Sequence, residues 1–370
     1  MCRVHLPTVQ WTAQTGLAYI GPPQKVDANE WQVRVRHVGR QARCRAYPMK
    51  YKIYGDELSL FTRKLECACL FYGLDFVQCE KNHENAAFIQ QRAGTHQVPV
   101  LLTPENWMLS DTTPILALLD ARHPGREMFP AGLYGAIVHV LEEYFDEWVS
   151  RVMVHFRWHY PARAQFAAAK MSHGEPELGE KLKDWGRRAC RATGTEFPPQ
   201  QRAAEVEYLE LMAAADRQLH DTPFLLGARP TALDCCVLGG LRAHTLMDPD
   251  PKPRLSSFTT LLDWNAHWAN ERTPSSHYSP LETLTPFAEF VLSRMRDTYQ
   301  PFIRANAAAL ASGDKLFDAY SYGSDVRYLC RPYPERSRQM VCARIAALPE
   351  NERTTFDAML AKYDLVTCFA

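Results

Sequence analysis

Tyr51-Lys52-Ile53-Tyr54-Gly55-Asp56-Glu57-Leu58-Ser59-Leu60-Phe61-Thr62-Arg63-Lys64-Leu65 is the stretch on which the fold turns. Tyr51–Tyr54 reads as a short strand ended by Gly55-Asp56. Ser59 is a helix-capping type, because its oxygen accepts an N–H that the first turn leaves free. Phe61, Leu65, Cys69 and Tyr72 then recur on one face at helical spacing, and Gly73 supplies the stop. Further on, Phe76-Val77-Gln78-Cys79 reads as a second strand, with a weak helix near Asn85–Gln91. Val98-Pro99-Val100-Leu101-Leu102 and Trp107-Met108-Leu109 read as a hairpin turning at Pro104-Glu105-Asn106. Asp111 or Thr112 caps a helix through Leu119, stopped at Pro124-Gly125. Strand–helix–strand–helix followed by strand–strand–helix implies a mixed α/β sheet covered by helices.

Outward from this block the chain changes character twice. Residues 1–49 form an unfamiliar leader punctuated by Gly21-Pro22-Pro23. Its one clear signal is Trp31-Gln32-Val33-Arg34-Val35-Arg36-His37-Val38, which alternates like a half-buried strand. After Phe129-Pro130 helical periodicity dominates to about Asn270, and a final, mainly helical region follows, with Phe287, Phe290, Val291 and Met295 at helical spacing. We therefore expect an extension over 1–49, an α/β domain over 50–130, an all-helical domain over 131–278 and a helical extension over 279–370. A chain of 370 residues exceeds what one core usually supports, which fits several units.

Bulk chemistry narrows the function classes. Lys+Arg and Asp+Glu stand at 42 each, so no basic excess recommends nucleic acid or an anionic membrane. No run of roughly 18 apolar residues suggests a membrane span. The 11 cysteines hold no C-x-x-C pair and no zinc-finger spacing with histidine. Met1-Cys2-Arg3-Val4-His5 opens no signal-like apolar run. A cytoplasmic protein with free thiols is the expectation.

Three separated motifs, in order, resemble the glutathione transferase superfamily. The first is the Gly55–Leu65 loop and helix start, where Ser59 stands at the family's catalytic serine or cysteine. A helix N-terminus presents free N–H groups and partial positive charge, which suits an ionised sulfur. Leu60 departs from the proline common there. The second is His96-Gln97-Val98-Pro99-Val100-Leu101, similar to the strand whose proline follows a cis bond. The resemblance gives the Val98 backbone to the cysteinyl part of glutathione. The third is Leu109-Ser110-Asp111-Thr112-Thr113-Pro114-Ile115-Leu116, similar to the acid-plus-hydroxyl motif opening a helix. There Asp111 would balance the γ-glutamyl ammonium, while Thr112 and the helix N–H groups bind its carboxylate. Gly227-Ala228-Arg229-Pro230-Thr231-Ala232-Leu233-Asp234 looks like the family's capping box in the helical domain.

The resemblance spans about Tyr51–Trp268 and implies a thioredoxin-like domain with a mixed four-stranded sheet, followed by an all-α domain. It implies a glutathione transferase using glutathione as co-substrate against a small electrophile, as a homodimer, without metal, nucleic acid or membrane. Ser59 is then catalytic, and Gln97, Val98, Pro99, Asp111 and Thr112 bind glutathione. A lyase, isomerase or dehalogenase would need the same thiol site. A second class is a binding protein that keeps the fold without the chemistry, favoured by the added terminal segments. A thiol-disulfide oxidoreductase is a poor third, since Ser59 and Thr62 stand where a C-x-x-C pair belongs.

Other constellations read more blandly. His155 and His159 lie one helical turn apart, but no third metal ligand accompanies them. Phe156, Trp158 and Tyr160 form a pocket candidate or, more simply, a core stripe. Glu142, Glu143, Asp146 and Glu147 read as a solvated or dimer-contact face. Arg327, Arg331, Arg336, Arg338 and Arg344 read as arginines lying across the acidic helical domain. Cys67 and Cys69 read as buried helix residues on different faces.

Overall fold

The computed structural model describes residues 24–27, 30–32, 50–249, 252–268 and 284–369. The chain divides into two compact units, Met1–Pro48 and Met49–Ala370. In the first, strands β1 (Gln24–Asp27) and β2 (Glu30–Gln32) pair antiparallel. Of the strand expected at Trp31–Val38, only Trp31 and Gln32 fall within the described residues.

The second unit opens with β3 (Tyr51–Gly55), α1 (Leu60–Tyr72), β4 (Phe76–Glu80), α2 (Ala86–Ala93), β5 (Val100–Leu102), β6 (Met108–Ser110) and α3 (Thr112–Arg122). The strands lie in the order β4-β3-β5-β6. β3 runs parallel to β4 and antiparallel to β5, and β6 returns antiparallel to β5. This is the expected thioredoxin-like mixed sheet. α1 forms because Leu65 and Cys69 bury completely on one side, and Gly73 ends it with φ 74.

A helical region follows: α4 (Gly132–Glu143), a π-helical stretch at Tyr144–Val149, α5 (Ser150–His159), α6 (Pro161–Met171), α7 (Pro176–Ala192), α8 (Pro198–Asp221), α9 (Ala232–Gly240) and α10 (Thr259–His267). The capping box forms at the start of α9: Asp234 accepts from the Thr231 N–H at 2.8 Å and from the Leu225 N–H at 2.9 Å. α9 packs directly on α1. Gly239 makes this approach possible, since a Cβ there would stand 2.8 Å from the Leu60 carbonyl oxygen and 2.9 Å from the Lys64 nitrogen.

The last region holds α11 (Pro286–Asp297), α12 (Tyr299–Ser312), β7 (Leu316–Ser321), β8 (Ser324–Leu329), α13 (Pro332–Ala346) and α14 (Glu350–Lys362). The region is mainly helical as expected, with the antiparallel β7–β8 hairpin as an addition, and its two-residue turn, Tyr322-Gly323, has φ 56 and 79. The segment packs on the helices before it. Phe287 lies against Phe145, and Thr285 donates to the Leu225 carbonyl at 3.0 Å. The Leu133 N–H donates to Glu352 at 2.6 Å.

Candidate functional site

Register gathers the three motifs at one end of the sheet. Tyr54 pairs with Val100, and Val100 pairs with Ser110. The β3–α1 loop, the residues before β5 and the residues after β6 therefore leave the sheet together. Ser59, Pro99 and Asp111-Thr112 all stand on segments that leave from this edge.

Ser59 caps α1 from extended backbone, and its Oγ accepts from the Thr62 N–H at 3.3 Å. Among the described contacts its own hydrogen is uncommitted, so the hydroxyl can still donate. The loop before it is tightly held. Asp56 accepts from the Leu58 N–H at 2.7 Å. Arg157, buried on α5, donates to the Leu58 carbonyl at 2.5 Å and to the Asp248 carboxylate at 3.0 and 3.2 Å. A guanidinium from the helical domain thus fixes the carbonyl one residue before the candidate donor, and the sequence reading did not single it out.

The Val98–Pro99 peptide is cis. Pro99 is buried, Val98 half-buried and Gln97 exposed. Neither the N–H nor the C=O of Val98 has a backbone partner among the described contacts, which leaves both to a ligand. Lys81 holds the loop from below, donating to the His96 carbonyl at 2.6 Å and the Gln97 carbonyl at 3.3 Å.

Asp111 is the residue just before α3, with φ 76 and ψ 116. A non-glycine residue in that region is strained, and such strain gathers at functional positions. Thr112 follows as the first residue of α3 and is buried. The Asp111 carboxylate is already engaged by α13: Arg336 donates at 3.1 Å, and the Tyr333 hydroxyl is hydrogen-bonded to it. These partners lie more than two hundred residues away in sequence.

Behind Asp111 stands the acidic run, and here the structure corrects the expectation of a solvated or dimer-contact face. Glu142, Glu143, Asp146 and Glu147 are all buried. Fully buried Lys64 of α1 donates to Glu142 at 2.6 Å and to Asp146 at 2.5 Å, while the Cys236 thiol lies 3.3 Å from Asp146. The carboxylates hold Lys64 charged, keeping its pKa well above the ordinary lysine range despite burial. Glu142, Asp146 and Cys236 offer metal-type ligand atoms within 4.8 Å of one another, but the Lys64 ammonium already pairs with both carboxylates. Glu143 accepts from Tyr299 at 2.6 Å and also from Ser337. Burial pushes the Glu147 carboxyl up to about 8, against the opposing pull of Arg331.

The remaining candidates settle as structure. Phe156 and Trp158 are core, Tyr160 is hydrogen-bonded to Glu205, and His155 contacts Glu205 at 2.8 Å. Burial brings His155 down to about 4. Cys67 and Cys69 are buried free thiols, and burial pushes both well above the ordinary thiol range, so they stay protonated. A cavity of about 430 Å³ adjoins the β3–α1 loop, lined by Gly55, Asp56, Leu58, Thr62, Cys79 and Lys170 among others. Ser59, Pro99 and Asp111 do not line it.

Residues 53–127 match the family model of the glutathione S-transferase N-terminal domain. Over these residues the chain is similar to that domain of the family, and the match covers this domain alone. No curated protein matches by sequence. Among solved structures, the chain is similar to the β-etherase LigF from Sphingobium, at 18% identity and a TM-score of 0.43 over 60% of this chain and 95% of that one. It is also similar to a glutathione S-transferase from Rhodospirillum rubrum, at 17% identity and a TM-score of 0.40 over 65% and 98%. Gtt2 from Saccharomyces cerevisiae stands at 19% identity and 0.40 over 59% and 95%.

Proposed function

We propose that the protein binds glutathione at the gathered end of the sheet and activates its thiol for attack on a small electrophile. The observation that carries the reading is the Tyr54–Val100–Ser110 register, which brings the Ser59, Pro99 and Thr112 segments to one edge. The Val98 N–H and C=O pair with the cysteinyl residue as a short antiparallel strand. Gln97 and Pro99 shape the turn that offers them, and Thr112 with the α3 N-terminus takes the γ-glutamyl carboxylate. Ser59 donates to the sulfur, favouring thiolate over thiol. The thiol proton leaves to solvent, the sulfur lone pair forms a carbon–sulfur bond, and the leaving group departs with its electron pair. The same reading expects a homodimer in the cytoplasm.

A binding protein without turnover is the second reading, and one observation favours it: Arg336 and Tyr333 already occupy the Asp111 carboxylate. Calorimetric titration with glutathione, paired with turnover on a panel of electrophiles, decides. Binding with conjugate formation supports the transferase, binding alone supports the second reading, and neither overturns both.

A further inference from the structure

The acid-plus-hydroxyl motif spans Leu109–Leu116, yet the groups that finish that corner come from the C-terminal segment. Arg331 immediately precedes α13, and Tyr333 and Arg336 lie in its first turns. Arg336 reaches Asp111 at 3.1 Å through one nitrogen, Nη2. Its guanidinium also lies over the Tyr333 ring, 5.0 Å from the centroid. Arg331 has its backbone pinned on both sides by Asn306, with N–H and carbonyl bonds of 2.9 Å each. Its guanidinium lies 5.7 Å from the Phe302 ring centroid, and its Nε is buried with no hydrogen-bond partner among the described residues. A buried donor without an acceptor is costly, and a ligand oxygen relieves that cost.

We propose that the start of α13 is a wall of the glutathione site, in which Arg331 and Arg336 receive the γ-glutamyl carboxylate. This rests on the glutathione reading above and changes what the corner selects. A ligand ammonium at Asp111 meets a carboxylate whose Oδ2 already accepts from Arg336. A carboxylate adds to the N–H groups that Arg336 keeps free and to the unsatisfied Arg331, and the guanidinium fork suits its two oxygens. Asp111 becomes a positioning residue, holding Arg336 at the site. Glu147 lies within electrostatic reach of both Arg331 and Asp111, and burial pushes its carboxyl up against the pull of Arg331.

The test is calorimetry on the full chain with glutathione and two analogues. Glutaryl-cysteinylglycine lacks the ammonium, and 4-aminobutyryl-cysteinylglycine lacks the carboxylate. The wild type should lose about tenfold or more in affinity for the peptide without the carboxylate, and about threefold at most for the peptide without the ammonium. Arg331→Gln and Arg336→Gln should each weaken glutathione and bind it much as they bind the carboxylate-free peptide. Arg331→Lys, which keeps the charge and loses the fork, should fall between. Melting temperatures of all variants separate misfolding from lost binding, and Arg336 is exposed enough that its glutamine variant leaves the core intact. If the variants bind glutathione like the wild type, or the wild type prefers the ammonium, the proposal is overturned while the glutathione reading stands. A wild type that binds none of the three peptides overturns both.

Discussion

The two ends of the candidate site are finished in opposite ways. At the α1 end, Ser59 has one incoming hydrogen bond and an uncommitted hydroxyl hydrogen, while the loop around it is fixed by Asp56 and the buried Arg157. At the α3 end, the reactive-looking carboxylate of Asp111 is itself consumed, by Arg336 and Tyr333. The first is a rigid frame around an available group. The second is a group whose availability is set by a segment outside the matched family domain. On the proposed reading, thiol activation belongs to the thioredoxin-like domain and its helical partner, and recognition of the other ligand end belongs to α13.

Both ends share one support, and breaking it should have the largest effect. Lys64 lies between Glu142 and Asp146, tying α1 to the helix that also backs Asp111. Lys64→Met would leave two buried carboxylates without their cation, and we expect a loss of about 3–5 kcal/mol in urea unfolding. Adding Glu142→Gln and Asp146→Asn should recover part of it. If Lys64→Met is neutral, the two ends do not hang from this ion cluster.

Gly239→Ala addresses the Ser59 end alone. The added methyl meets the backbone of Leu60 and Lys64, which cannot rotate away, so α1 must shift. Overpacking of this kind costs about 1–3 kcal/mol. Glutathione affinity should hold while turnover drops, because the displaced element carries Ser59. A variant with unchanged melting and unchanged turnover would show that α1 tolerates the shift.

Thr231→Ala is the smallest and serves as the reference. It removes part of the α9 capping box, far in role from either end, and should lower the urea midpoint by the equivalent of ~1 kcal/mol with ligand affinity unchanged. A change in affinity larger than the change in stability would mean that the helical domain couples to the site through α9.

What the sequence revealed follows the reach of each interaction. The α1 cap at Ser59, the stop at Gly73, the β5–β6 hairpin and the Thr231–Asp234 box are made by residues within a few positions of one another, and all were legible. The burial of Glu142, Glu143, Asp146 and Glu147 was not, because their partners Lys64, Tyr299, Ser337 and Arg331 come from distant segments. From the helix alone, four acids in six positions look solvated. Asp111 was found as a cap-type residue, but nothing near it in sequence announces Arg336. The β7–β8 hairpin is a different failure, since its signal was present. Phe317, Ala319 and Ser321 alternate with exposed residues, and Tyr322-Gly323 is a two-residue turn of hairpin type. The helical periodicity on either side obscured it.

The central claim is that the free hydroxyl at the α1 end acts on the sulfur. It is tested most directly by the ultraviolet thiolate band of bound glutathione, followed against pH in the wild type and in Ser59→Ala. A hydrogen bond to a charged acceptor contributes about 1.5–3 kcal/mol, so the variant should raise the bound thiol's pKa by about one to two units. Glutathione affinity should change little, and turnover near neutral pH should fall by about tenfold or more. If the two proteins titrate together, Ser59 is only the cap of α1, and the binding-protein reading replaces the transferase.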